Sequence, residues 1–204
     1  MKFSSIQQIY NHYQIPPNLQ RHMLEVTAVG RYICDHWSGP SVDKELITKA
    51  LFLHDMGNII KFKRPFLGEL EPDAAHWEQV QAEFVQKYGS DVHTATMTII
   101  TELGKEKEIG WILENMRLVT KQSGADDSDV VKICEYADCC VSPEGIVGFE
   151  RRLLDLIERY QKKNTEWIGI MRSIADYIQA NVTIDLTTLS SHCTLLFSPQ
   201  NVQK

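Results

Sequence analysis

Apolar residues along this chain recur mostly at intervals of three and four. After Pro16-Pro17, the residues Leu19, Met23, Val26, Val29, Ile33 and Trp37 form one helical stripe, with Asn18 placed to cap it. "SGPS" at 38–41 breaks that stripe. Asp43 then opens a helix carrying Leu46, Ile47, Ala50, Leu51 and Leu53. Residues 61–72, "KFKRPFLGELEP", hold two prolines and a glycine and read as an irregular loop. Asp73 is placed to cap a helix to about Tyr88, with Trp77, Val80, Phe84 and Val85 on its stripe. Asp91 opens the next, "VHTATMTIITE", which Gly104 closes.

Further helical patterns span about 107–121 and 128–139, and "SPEG" at 142–145 turns the chain. "IVGFERRLLDLIERYQKK" and "EWIGIMRSIADYIQAN" read as a closing pair of amphipathic helices. β-branched alternation is weak and confined to about Val182–Leu189, and "HCTLLFSPQNVQK" at the end fits no pattern cleanly. The expectation is an all-α, single-domain helical bundle over 1–204, with its core at about 19–150 and the C-terminal helical pair packed on it.

Composition narrows the chemistry. In 204 residues, 43% are hydrophobic, enough for a sizeable core. The net charge of −6 argues against a nucleic-acid or membrane-surface binder, so an anionic ligand needs a local cation or a metal. No run approaches the roughly 18 apolar residues of a membrane span, and "MKFSSIQQIYNHYQIPPN" lacks the apolar stretch of a signal peptide. A cytoplasmic protein is expected. The five cysteines are odd in number, and Cys134, Cys139 and Cys140 do not have C-x-x-C spacing. They read as reduced, buried thiols.

The informative stretch is "LFLHDMGNIIKF", 51–62, which ends an apolar run with His54-Asp55. It is either a turn stopped by Gly57 or a pair of metal ligands. An anion at a helix C-terminus is unfavourable, so Asp55 calls for a compensating cation. Asp138, at the end of "SDVVKICEYADCC", raises the same question. Helix bundles build metal sites from inward-facing side chains on several helices. His22, His54, Asp55 and Asp138 would make a mixed N/O set, suited to a first-row transition metal or magnesium.

The order His22, then "HDMG" at 54–57, then "EYADCCVSPEGI" with Asp138, resembles the HD-domain superfamily of metal-dependent phosphohydrolases. Its H…HD…D ligands sit on an all-α core, and its usual motif is "HDIG". The resemblance covers about 19–150. It implies that His22, His54, Asp55 and Asp138 hold one divalent metal, either Mn, Fe, Co, Ni or Mg, and that His54 and Asp55 are catalytic. The metal would polarise a phosphoryl group and lower the pKa of bound water. The implied reaction is hydrolysis of a small phosphate ester, a nucleotide foremost.

The sequence departs from that pattern in places. Asn58 stands where many relatives carry Lys. Lys61, Lys63 and Arg64 are the next cations, and they are candidates for substrate phosphate or members of a solvated loop. Two-metal relatives carry further histidines; His76 and His93 are available, but 115–125 contains none. One metal is therefore expected, with His93 either supporting a metal ligand or contacting substrate. Glu69, Glu71 or Asp73 could supply a general acid or base if the loop folds over the site, but a charged, solvent-facing loop is the better explanation of them. Trp77 reads as core, and His12, His36 and His192 as structural or surface residues.

No phosphate loop, dinucleotide fingerprint, H-E-x-x-H or G-x-S-x-G elbow is present. Two alternatives keep the fold: a non-catalytic nucleotide-binding sensor, and a di-iron oxygenase that would recruit His76 or His93. The helices after Gly145 could instead form the face of a homo-oligomer.

Overall fold

A computed structural model describes residues 3–62, 74–121, 128–159 and 165–189. Lys63, Arg64, Glu69, Glu71, Asp73 and His192 lie outside them, as do most of the expected 61–72 loop and the C-terminal stretch. The fold is all-α, with a single two-stranded hairpin among the described residues.

Helix α1 (Ile6–His12) is capped by Ser5, whose side chain accepts from the Gln8 amide. Helix α2 (Pro17–Asp35) starts on Pro17, so Asn18 lies inside the helix and is not its cap. The physical reason is that Pro at the first helical position loses no intrahelical bond, and its fixed φ suits the helix. The α2 stripe of Leu19, Met23, Val26, Val29 and Ile33 is buried as its spacing predicts. Each such side chain contributes about 1.5–3 kcal/mol on burial. Trp37 lies past the helix end and pairs with Val182 in an isolated β-bridge.

Helix α3 (Lys44–Leu53) is capped by Asp43, which accepts from Leu46 N at 2.9 Å. It packs closely on α2. Gly30 permits the approach: a Cβ there would lie 2.3 Å from Leu51 Cδ1. Tyr10, fully buried, donates its hydroxyl to the Phe52 carbonyl at 2.7 Å and so ties α1 to the end of α3.

Helices α4 (Ala74–Tyr88) and α5 (Val92–Glu102) follow. Asp91 caps α5 by accepting from Thr94 N at 2.8 Å, and Gly104, at φ +68°, ends it. A π-helical turn at Glu106–Gly110 leads into α6 (Trp111–Lys121). Helix α7 (Asp129–Asp138), capped by Ser128, packs on α2, α3 and α6. The expected turn at 142–145 is a hairpin, pairing Val141–Ser142 with Gly145–Ile146. Helix α8 (Phe149–Arg159) follows it, and α9 (Thr165–Ala180) packs on α7. The alternation after Val182 does not produce a strand; Leu186–Thr188 is a 3₁₀ turn capped by Asp185. Among the described residues, no helix is long and apolar enough to cross a membrane.

Candidate metal centre

Three helices converge at one point. Helix α2 carries His22 on its second turn, beside the buried Met23. Helix α3 ends at Leu53, and the chain turns through His54–Gly57 before the 3₁₀ turn Asn58–Lys61. That turn is pinned on both sides. Leu53 and Met56 are buried, and Gly57 N donates to Thr96 Oγ1 of α5 at 2.9 Å. A Cβ on Gly57 would lie 2.3 Å from the Val92 carbonyl oxygen, so only glycine lets the turn sit so close to α5. Helix α7 delivers Asp138 as its last residue.

His22 Nε2 lies 3.2 Å from Asp138 Oδ1 and 3.5 Å from Asp55 Oδ2. His54 Nε2 lies 3.6 Å from Asp138 Oδ1 and 3.8 Å from Asp55 Oδ2. The donor atoms of His22, His54 and Asp138 all fall within 4.8 Å of one another and could hold a metal ion. Asp55 borders this trio through the contacts just given.

His54 shows the tightest fit to such an ion. Its Nδ1 is 2.7 Å from the Leu51 carbonyl, which can only accept, so Nδ1 carries the proton. That leaves Nε2 as the lone-pair nitrogen when the ring is neutral. Nε2 is buried with no hydrogen-bond partner, and the side chain is 4% exposed. A buried acceptor with two carboxylates beyond hydrogen-bonding reach suits a cation between them. In the metal-free chain a proton takes that part. Burial, the largest effect, opposes protonation, but Asp55 and Asp138 outweigh it and lift the His54 pKa to about 9. Removal from water would raise Asp138 likewise, yet His22 and His54 hold it well below the usual carboxylate range.

Asp55 is itself held. Asn58, 5% exposed, donates its side-chain amide to Asp55 Oδ2, and its backbone N–H donates to the Asp55 carbonyl at 2.9 Å. The Asn in place of the commoner Lys thus orients a candidate ligand.

A cavity of about 300 Å³ opens onto His54, Asp55 and Asp138, and His93 also lines it. His93 Nε2 is paired with Glu114 Oε2 at 2.5 Å. The other expected substrate contact within the described residues, Lys61, is exposed at the end of the 3₁₀ turn and does not line the cavity. His76 meets the ring of Trp77 on α4, with centroids 5.0 Å apart. Trp77 packs against the core, and His36 Nδ1, just past the end of α2, bonds the Tyr32 carbonyl of its last turn.

Arg117, Glu135, Asp91 and Thr96 also line the cavity and carried no signal in the motif reading. For Arg117 a signal existed: it sits four residues after Leu113 and one after Met116, both buried, which puts a cation at the edge of an apolar stripe.

A family model of the HD domain matches residues 19–141. This is more than half of the 204-residue chain, and the protein belongs to the HD-domain family. No curated protein and no solved structure matches it.

Proposed function

We propose that this protein is a metal-dependent phosphohydrolase acting on a small phosphate ester, a nucleotide foremost. The observation that carries the reading is His54 Nε2, buried and unpartnered, facing two carboxylates and lining an open cavity. His22, His54, Asp55 and Asp138 would hold one divalent metal. When bound, the metal would supply charge compensation at the phosphoryl oxygens and a more acidic water.

The chain's own contribution is orientation. Leu51 fixes the tautomer of His54, Asn58 fixes the carboxylate of Asp55, and the Gly57 contact holds the turn that carries both. In the overall reaction, water oxygen forms the new P–O bond as the ester P–O bond breaks. One water proton ends on the departing oxygen. The cavity lies at the lower end of the roughly 300–1,000 Å³ range of small-molecule sites, which favours a compact substrate. Val92, Leu113 and Met116 give it an apolar wall.

The test is metal content and phosphate release for wild type and Asp55→Ala, purified without chelator. The expected result is about one equivalent of metal per chain, lost together with hydrolysis in the variant. Hydrolysis at the wild-type rate by Asp55→Ala would overturn the reading. Two irons per chain with oxygen consumption would replace it with the oxygenase alternative, and tight nucleotide binding without turnover would replace it with a sensor.

A further inference from the structure

We infer that Arg117 is the phosphate-recognising cation of this cavity, and that the site takes a phosphomonoester in preference to a diester. The inference rests on the phosphohydrolase reading above. Arg117 lines the same cavity as His54, Asp55 and Asp138. It is anchored there: its Nε donates to Glu114 Oε1 at 2.9 Å, and Nη2 donates to the same oxygen. The other oxygen of Glu114 holds His93, which lines the cavity as well. One carboxylate therefore positions two cavity-lining basic groups.

A partly exposed ion pair one helical turn apart stabilises a protein little, so stability alone does not account for this arrangement. Its donor count points to a ligand. A guanidinium has five N–H groups, and Glu114 engages one on Nε and one on Nη2. Among the described residues, both N–H groups of Nη1 and the second of Nη2 are left. One N–H of Nη1 and the remaining one of Nη2 form the end-on edge of the fork, which matches two oxygens of a phosphate.

The substrate class follows from the oxygen count. A monoester has three terminal oxygens, enough for two on the Arg117 edge and one toward the His54/Asp55/Asp138 side. A diester has only two, so it cannot satisfy both sides in this way. The Glu114 hydrogen bond, and after it the charges of Glu114 and Asp91, raise the Arg117 pKa further, so the guanidinium is a permanent cation at the cavity wall.

The experiment uses the full chain loaded with metal. Inorganic phosphate binding is measured by calorimetry for wild type, Arg117→Ala, Arg117→Gln and, as a charge control on α9, Arg172→Ala. Hydrolysis of p-nitrophenyl phosphate and bis(p-nitrophenyl) phosphate is measured in parallel, with circular dichroism to follow folding. The expected result is phosphate binding weaker by about tenfold or more in both Arg117 variants, with Arg172→Ala unchanged. Wild type should favour the monoester, and Arg117→Gln should narrow that preference, mainly through KM. Arg117→Gln keeps much of the aliphatic stem, so it carries the test if Arg117→Ala does not fold. Unchanged phosphate affinity in a folded Arg117 variant that still takes up metal would overturn this inference alone, as would equal hydrolysis of the two esters by wild type. A wild type that takes up no metal and hydrolyses neither ester would overturn the phosphohydrolase reading and this inference together.

Discussion

Asp138 Oδ1 lies 3.2 Å from His22 Nε2, although the two residues sit on helices far apart in the chain. Removing that carboxylate separates the α2 and α7 contributions to the site. Asp138→Ala should lower metal affinity by at least about 100-fold, beyond the roughly 10–100-fold typical of a group that only supports a ligand. Helix content should be retained, because Asp138 ends its helix and caps nothing. Metal titration with circular dichroism on the same samples checks both halves, and wild-type affinity would remove Asp138 from the ligand set.

The metal-free protein should show a pH dependence that metal erases. The folded His54 pKa of about 9 lies above its ordinary value of 6.5. The stabilisation from its charged form is therefore complete below about pH 6.5 and is lost as pH rises through about 9. The melting temperature of the chelated protein should fall across that window, and His54→Ala should flatten the fall. Because a ligand imidazole must be neutral, metal uptake at pH 7 should release about one proton. Calorimetry in buffers of different ionisation enthalpy measures that release.

Asn58→Ala removes the donor that fixes Asp55 Oδ2. Metal affinity should drop about 10–100-fold, as for other groups that orient a ligand. Loss of this buried bond should also cost about 1 kcal/mol of stability. Asn58→Asp is the sharper variant: it keeps the shape but sets a second carboxylate against Asp55, and should weaken the metal-free fold more than Asn58→Ala does. Equal melting temperatures for the two variants would argue against the contact.

Two glycines make a paired test of packing. In Gly57→Ala the new methyl meets the Val92 carbonyl, a backbone atom that cannot move aside; in Gly30→Ala it meets Leu51 Cδ1, the end of a side chain that can rotate. Overpacking costs typically about 1–3 kcal/mol, with Gly57→Ala expected at or above the upper end and Gly30→Ala near the lower. Urea denaturation gives both values. Gly57→Ala should also weaken metal binding, because the displaced turn carries His54 and Asp55.

The local features of this fold were readable from the chain. The α2 stripe, the caps at Asp43 and Asp91, the stop at Gly104 and the turn at 142–145 each depend on residues within a few positions of one another. Asn18 shows the limit even there. Its side chain suits a cap, but Pro17 was the stronger start signal, and the two compete within two residues. The segment after Val182 shows another limit, since alternation makes a strand only where a partner strand exists, and among the described residues the pairing is the isolated Trp37–Val182 bridge.

The identity of His22, His54, Asp55 and Asp138 as a set came from the order of their motifs. Spacing alone could not join them. The packing of α2, α3 and α7 decided that their donor atoms lie a few ångströms apart, and it alone left His54 Nε2 buried without a partner. The link from Arg117 through Glu114 to His93 was also invisible, because it crosses from α6 to α5 and has no signature in either helix. Periodicity and capping are short-range properties that a linear chain expresses directly. Which polar groups share a cavity depends on how helices pack, and packing is settled by the shapes of apolar faces across the whole core.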